Sequence, residues 1–144
     1  FIKQRDNGVI TVTDKRMTRF WITLERGVEF VMNCLQTMKG GEIFIPKIPS
    51  MNIMDLVNAI APDCEVSFTG IRPGEKIHEV LISSDEARQG LEFPDMFVIQ
   101  PSHPWWGEAN LDNGSILPDD FSYSSDNNPE WLSVDEIRNM AANI

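Results

Sequence analysis

The sequence predicts an α/β fold, because short β-branched segments alternate with segments of helical periodicity along most of its 144 residues. The clearest helix is marked by apolar residues at spacings of three and four, namely Leu24, Val28, Val31, Leu35 and Met38. Gly40 and Gly41 follow this stripe and predict the end of the helix. We therefore expect a small mixed sheet with a few helices.

The predicted strands are short and rich in β-branched or aromatic residues. They cover residues 9–13, 43–45, 65–69, 80–82 and 96–99. Ser50 is the predicted cap of a second helix that ends at Pro62, and residues 84–90 are expected to form one or two helical turns.

The C-terminal part of the chain has a different character. Ser133, with Glu136 three residues later, predicts a capping box at the start of a last helix. Before it, prolines, glycines and acidic residues follow one another without a period, which predicts one long irregular segment at 101–129. We expect this segment to belong to a single domain at 1–144 and not to form a second one.

Composition and charge exclude several classes of protein. The net charge is −10, from 22 acidic and 12 basic residues, whereas a general nucleic-acid binder carries a basic patch and an anionic membrane surface attracts cations. No apolar run approaches the roughly 18 residues of a membrane span, and no signal peptide is visible. Cys34 and Cys64 follow no pattern, so two reduced thiols in a cytoplasmic protein are expected, and no residue spacing indicates a metal site.

The most informative segment is residues 70–79, where an arginine, a turn and a carboxylate occur within four residues after a predicted strand. Proline fixes its own φ and glycine accepts a positive φ, so Pro73 and Gly74 predict a turn with Arg72 and Glu75 beside it. A guanidinium suits a phosphate and a carboxylate suits sugar hydroxyls, a combination that fits a nucleotide-sugar. A surface turn with a solvated ion pair is the alternative interpretation.

The order of residues 70–79 resembles the C-terminal half of nucleotide-sugar-modifying enzymes of the extended short-chain dehydrogenase/reductase superfamily. Within that superfamily it is most similar to the inverting UDP-N-acetylglucosamine 4,6-dehydratases and related polysaccharide-biosynthesis proteins. Further segments carry the likeness in family order, at residues 10–14, 16–21, 41–51 and 123–132. The resemblance implies the fold of a C-terminal substrate-binding lobe.

The resemblance also implies roles for individual residues. Arg19 and Arg72 are expected to bind the diphosphate of a UDP-sugar, each guanidinium through charge-assisted hydrogen bonds. Glu75 is expected to accept hydrogen bonds from the ribose hydroxyls. Met17 and Thr18 are expected either to line the sugar or phosphate pocket or simply to pack at the entrance of a helix. Arg19 is placed near a helix N-terminus, where the macrodipole disfavours a cation and so favours a ligand role.

Enzymes of this superfamily resemble one another in an N-terminal dinucleotide-binding half and a Tyr-x-x-x-Lys catalytic pair. The nine glycines of this chain form no dinucleotide-binding fingerprint, and position 127, four residues after Tyr123, is Asn127 and not lysine. We therefore expect a C-terminal part that lacks the Rossmann half, has no catalytic residue and binds no cofactor itself. NADP is the cofactor that the resemblance implies for the parent enzyme.

The function implied is UDP-sugar binding, with UDP-N-acetylglucosamine as the expected ligand, within a nucleotide-sugar 4,6-dehydratase of surface polysaccharide or glycan biosynthesis. Two alternatives stay open, namely a fragment of a UDP-sugar 4-epimerase and a non-catalytic acidic interaction or oligomerisation module. The expected partners are the UDP-sugar, the N-terminal Rossmann half and further copies of the chain, without nucleic acid or membrane. His78 is predicted to be structural, and Trp105 and Trp106 are predicted to pack the irregular segment.

Overall fold

A computed structural model describes residues 1–103 and 113–142 of the chain. These residues form a mixed α/β structure with small sheets and helices, which confirms the predicted class. The helices are Ile2–Arg5 (α1), Leu24–Thr37 (α2), Ile53–Ile60 (α3), Ser84–Ala87 (α4) and Val134–Ala141 (α5). The strands are Val9–Val12 (β1), Thr18–Phe20 (β2), Ile43–Pro46 (β3), Ser50–Asn52 (β4), Glu65–Phe68 (β5), Val80–Ile82 (β6), Gly90–Glu92 (β7), Met96–Ile99 (β8), Ser115–Ile116 (β9) and Tyr123–Ser124 (β10).

The strands form several small sheets instead of one mixed sheet. Strands β1 and β5 pair in parallel, β2 pairs with β4 and β6 with β10 in antiparallel fashion, and a four-stranded antiparallel sheet has the order β3-β8-β7-β9. The described residues fall into two compact units. The prediction of a single domain stays a prediction.

The first unit comprises residues 1–21, 49–79 and the chain from residue 125 onward. Helix α3 is central to its apolar core, because it contributes to two buried clusters. One cluster joins α3 to β1 through Ile10, Val12, Val57 and Ala61. The other joins α3 to α5 through Met51, Ala59 and Ile137. Strand β1 alternates exposed and buried residues, as a strand with one face on a core does.

The start of α3 differs from the prediction. Asn52 and not Ser50 is the cap, since its Oδ1 accepts a hydrogen bond of 2.8 Å from the Met54 amide. Ser50 lies fully buried on β4, where its hydroxyl accepts a hydrogen bond of 3.0 Å from Asn128. Because β4 pairs with β2, the chain stays extended through Asn52 and the helix begins later than the sequence pattern indicates.

The second unit comprises residues 22–48 and 80–124, of which 104–112 lie outside the described ranges. Its core is built on the four-stranded sheet and includes the Phe97 ring, whose centroid lies 5.0 Å from that of Tyr123. The Tyr123 hydroxyl donates a 2.9 Å hydrogen bond to the Ile48 carbonyl and accepts a 3.0 Å hydrogen bond from the Ile48 amide. The segment predicted to be irregular thus contains the short strands β9 and β10, and Trp105 and Trp106 lie outside the described residues.

Helix α2 is amphipathic as predicted, but its apolar stripe does not form part of a core. No residue of α2 is buried. The exposed fractions of the stripe residues are 80% for Leu24, 55% for Val28, 55% for Val31, 59% for Leu35 and 47% for Met38. A contiguous apolar surface of this kind is typical of a contact surface. None of the described helices is long and apolar enough to cross a membrane.

Candidate functional site

The R-P-G-E turn (residues 72–75) has the geometry that its sequence predicts. The Glu75 amide donates a 3.0 Å hydrogen bond to the Arg72 carbonyl, which closes a four-residue turn. Gly74 has a φ of +81°, as the third residue of a type II turn requires. Proline before this glycine restricts the turn further, so the two charged residues are presented on a rigid loop.

The two oxygens of the Glu75 carboxylate bind within the turn and to the rest of the first unit. One oxygen accepts a 3.1 Å hydrogen bond from the Arg72 amide, and the other accepts a 3.2 Å hydrogen bond from the Thr13 hydroxyl just after β1. An ionised carboxylate offers about four acceptor positions, so these two bonds leave acceptor capacity for further donors. Glu75 therefore both stabilises the turn and retains oxygens that a ligand hydroxyl can reach.

Arg72 is the exposed cation of this loop. Within the two described ranges no hydrogen bond or ion pair engages its guanidinium, and only its backbone amide and carbonyl are bound, both by Glu75. A free guanidinium on a rigid turn is suited to an anionic group, and in particular to a phosphate that it can contact through two N–H groups.

Arg19 lies in the middle of β2 and not near a helix N-terminus, so its predicted position was wrong. It pairs with Met51 of β4, and this pairing keeps the backbone extended. The next helix, α2, begins only after Thr23, whose side chain accepts a hydrogen bond from the Arg26 amide. The macrodipole of α2 therefore gives no support for a ligand role of Arg19.

The Arg19 guanidinium binds the segment that leaves the R-P-G-E turn, residues 76–79, which we term the exit segment. Nη1 donates hydrogen bonds to the carbonyls of Thr18 at 2.7 Å and Ile77 at 2.9 Å. Nη2 donates to the Lys76 carbonyl at 3.1 Å and to Met17 Sδ at 3.5 Å. Nε forms an ion pair with Glu79 Oε1 at 3.4 Å. Arg19 therefore holds the exit segment against β2.

A buried chain of hydroxyl groups holds the same segment from another side. Thr18 Oγ1 lies 2.8 Å from His78 Nδ1 and 2.6 Å from Ser125 Oγ. Ser125 also exchanges two hydrogen bonds with Glu79, one from the Glu79 amide to Ser125 Oγ at 2.9 Å and one from the Ser125 amide to the Glu79 carbonyl at 2.8 Å. His78 is thus part of this hydrogen-bonded network, and its structural role stays a prediction.

The loop before β2 contains a strong electrostatic perturbation. The Arg16 guanidinium donates hydrogen bonds of 3.0 and 2.8 Å to the Asp14 carboxylate, and the Arg16 amide donates a third of 2.8 Å. These bonds, led by those of the side chain, lower the pKa of Asp14 to about 2. The Arg16 side chain is 61% exposed and that of Asp14 is half-buried, so this surface pair orders the approach to β2 without a large contribution to stability.

All five site residues predicted from the sequence lie in the first unit. The structure places Arg72 with Glu75 in one turn, and it places Met17 and Thr18 in contact with Arg19. Met17 and Thr18 are only 3% and 4% exposed, which agrees with packing beneath Arg19. No group of residues in the described part of the chain could hold a metal ion.

Two residues of the site were missed by the sequence analysis. Glu79 pairs with Arg19, and Ser125 links Thr18 to the exit segment. Both occur in segments that resemble the family, but no local pattern indicates their partners, which lie on a strand 60 and more residues away in sequence.

Comparisons with known proteins agree with the resemblance in the sequence. The model of a family described as polysaccharide biosynthesis protein matches residues 1–101. The chain is 49% identical over 135 residues to UDP-N-acetylglucosamine 4,6-dehydratase (inverting) from Campylobacter jejuni, an alignment that covers 89% of this chain and 40% of the relative. It is 35% identical over 104 residues to UDP-glucose 4-epimerase from Rickettsia conorii, covering 69% of this chain and 30% of the relative.

The fold is also found in a solved structure. The X-ray structure of Pen from Bacillus thuringiensis matches with a TM-score of 0.82 and 33% sequence identity, over 99% of this chain and 44% of that one. The chain therefore spans about two fifths of the length of the dehydratase relative and of this structural neighbour.

Proposed function

The chain belongs to the polysaccharide biosynthesis protein family, and on this premise we propose that it is the UDP-sugar-binding part of a nucleotide-sugar 4,6-dehydratase. The sugar nucleotide proposed is UDP-N-acetylglucosamine, and the pathway class is the synthesis of a surface polysaccharide or glycan. The observation that carries the proposal is the exposed guanidinium of Arg72 on the rigid R-P-G-E turn, in a chain 49% identical to a dehydratase of this substrate.

In this proposal Arg72 binds the diphosphate. Its guanidinium is free among the described residues, and it carries a local positive charge in a chain of net charge −10. Charge-assisted hydrogen bonds to phosphate are among the strongest that a side chain makes, so one such residue can determine the orientation of a ligand. Glu75, three residues further along the turn, uses its remaining acceptor positions for the ribose hydroxyls.

Arg19, Met17 and Thr18 complete the proposed site. Arg19 brings a second cation close to the exit segment, although its N–H groups are engaged by protein acceptors in the ligand-free chain. Met17 and Thr18 support that guanidinium from the buried side. The site thus combines one free cation with one that is held in place by its own strand.

The chemical reaction requires more than this chain, and we propose that a further part of the polypeptide provides it. The hydride chemistry of such a dehydratase belongs to NADP, bound in a Rossmann-type half that packs on the exposed apolar stripe of α2. The support for this partner is the exposure of the stripe, from 47% to 80% per residue, and the share of about two fifths that the chain covers of its relatives. The present residues orient the UDP moiety, and such remote binding positions the sugar for reaction.

Association of several copies of the chain is also proposed.

A UDP-sugar 4-epimerase is the second candidate, since the chain is 35% identical over 104 residues to a UDP-glucose 4-epimerase. The proposed site would serve both reactions, because both substrates carry UDP. The dehydratase is preferred because that similarity is higher and extends over 89% of the chain, against 69% for the epimerase.

The proposal is tested by calorimetric titration of the chain with UDP-N-acetylglucosamine. We expect saturable binding that Arg72→Ala weakens by about tenfold to a hundredfold, the equivalent of one charge-assisted hydrogen-bond pair. Arg138→Ala on α5 is the matched control, because it removes the same charge from an exposed arginine of the same unit, and it should bind like the wild type. A folded chain that binds no UDP-sugar, or equal binding by Arg72→Ala, contradicts the proposal.

A further inference from the structure

The neighbours of the Arg19 guanidinium are of two kinds. Nη1 and one N–H of Nη2 donate to the backbone carbonyls of Thr18, Ile77 and Lys76 at 2.7 to 3.1 Å. These carbonyls belong to β2 and to the exit segment, so they can leave only if the backbone moves. The three bonds therefore anchor the guanidinium in one orientation.

The other edge of the guanidinium is held much more weakly. Nε and Nη2 are the two nitrogens of this edge; Glu79 Oε1 lies 3.4 Å from Nε in an ion pair, and Nη2 donates to Met17 Sδ at 3.5 Å. A charge-assisted N–H to oxygen bond is normally about 2.7–2.9 Å long, and a thioether is a weak acceptor. The Nε and Nη2 edge is therefore the part of Arg19 that a stronger acceptor can take over.

The side chain that blocks this edge is free to move away. The Glu79 side chain is 43% exposed, so its carboxylate can turn into solvent and remain hydrated. Both backbone hydrogen bonds of Glu79 are made with Ser125 and are independent of the carboxylate. Met17 by contrast is 3% exposed and stays in place beneath the guanidinium.

We propose that Glu79 is an intramolecular substitute for the phosphate, which occupies Arg19 while the site is empty and yields the Nε and Nη2 edge to the diphosphate of the ligand. This inference rests on the proposed function, since it concerns the same site. A half-buried cation without a partner is unfavourable, and the Arg19 side chain is only 25% exposed. The carboxylate provides that partner in the free protein, and its displacement costs part of the binding energy of the ligand.

The opposite role for Glu79 makes the opposite prediction. If the carboxylate only oriented Arg19 for the ligand, its removal would weaken binding. If it competes with the ligand, its removal strengthens binding. The sign of the change in affinity therefore separates the two roles.

The test is a calorimetric titration of the chain with UDP, in the wild type, Glu79→Gln and the control Glu65→Gln. Glu65 lies exposed on β5 in the same unit, so its variant changes the net charge equally without touching Arg19. We expect Glu79→Gln to bind UDP about two- to fivefold more tightly, which corresponds to the interaction free energy of one exposed ion pair. Glu65→Gln should bind like the wild type. Glu79→Ala, which also lacks an amide oxygen for Nε, should gain at least as much. With uridine, which carries no phosphate, the gain should disappear.

A spectroscopic measurement reports the exchange directly. The Nε–H signal of Arg19 in a ¹⁵N NMR spectrum, assigned with Arg19→Lys, should shift when UDP is added to the wild type. Because Glu79→Gln lacks the carboxylate, the Nε–H signal of the ligand-free variant should have a different chemical shift from that of the ligand-free wild type. On saturation with UDP, the two proteins should give similar chemical shifts.

The possible results distinguish this inference from the proposed function. Tighter binding by Glu79→Gln alone supports the substitution of Glu79 by phosphate. Equal or weaker binding by Glu79→Gln, while the wild type binds UDP and Arg72→Ala binds it more weakly, overturns it and leaves the proposed function standing. Absence of binding by every folded variant overturns both.

Discussion

Removal of the Arg19 side chain is predicted to destabilise the first unit, whereas removal of the Arg72 side chain is not. Arg19 donates to three backbone carbonyls and so joins β2 to the exit segment. Arg72 makes no described side-chain contact and is exposed. Both substitutions to alanine change the net charge equally, so the pair separates the loss of hydrogen bonds from the loss of charge.

The expected magnitude follows from the fate of each carbonyl in Arg19→Ala. Hydrogen bonds from charged donors contribute about 1.5–3 kcal/mol when buried, and the partial exposure of Arg19 reduces this. The Ile77 carbonyl keeps the 3.1 Å bond from the Thr18 amide, and the exposed Lys76 carbonyl can be hydrated. With about 1 kcal/mol each for the carbonyls of Thr18 and Ile77 and less for Lys76, the free energy of unfolding should fall by about 2–3 kcal/mol. The exposed ion pair with Glu79 adds little.

The measurement is urea unfolding of the wild type, Arg19→Ala and Arg72→Ala, combined with amide hydrogen exchange. The amides of Thr18 and Glu79 donate to the exit segment and to Ser125, so their exchange should accelerate in Arg19→Ala. Arg72→Ala should stay within about 0.5 kcal/mol of the wild type, as is usual for a surface substitution. An Arg19→Ala chain as stable as Arg72→Ala, with unchanged exchange at these amides, would refute the assignment of Arg19 as the residue that holds this segment.

Three further predictions concern the same region. The carboxyl of Asp14 should titrate in NMR with a pKa of about 2, and Arg16→Gln should return that pKa towards 3.8. Because the pKa is lowered on folding, the stabilisation from this pair is present above about pH 4 and is lost as the pH falls towards 2. Thr18→Val keeps the shape of the side chain but removes the hydroxyl bound to Ser125, so it should lower the free energy of unfolding by about 1–2 kcal/mol in urea, with a smaller loss in Thr18→Ser. Gly74→Ala places a Cβ at a φ of +81° and should cost about 1 kcal/mol, with NMR shifts confined to the R-P-G-E turn.

Much of the secondary structure was predictable because it depends on neighbours in the sequence. The stripe of apolar residues predicts α2, which spans Leu24–Thr37, and the Ser133 and Glu136 pair forms the capping box predicted at the start of α5. The R-P-G-E turn was predictable for the same reason, since proline and glycine restrict their own φ angles. In each case the cause lies within a few residues of its effect.

The errors arose where strand pairing overrides local preference. Ser50 was predicted to be a helix cap, and Arg19 was placed near a helix N-terminus, but both residues lie on strands that pair with each other, β4 and β2. Serine at a local start signal can cap a helix only if the chain turns there, and the pairing with β2 keeps it extended. The exposure of the α2 stripe is a further case, because amphipathicity predicts that a face will be covered but not by what.

The sequence by itself therefore determined the α/β class, the family, the turn and the residue types that can bind a phosphate and a ribose. Only the tertiary structure decided which of these residues meet. Thr18 and Ser125 touch although 107 residues separate them, and Arg19 binds carbonyls 57 and 58 residues away. Contacts of this range follow from how the strands and helices pack and not from any local rule. For this reason only the folded chain shows that Arg19 is engaged, whereas the Arg72 guanidinium has no partner among the described residues.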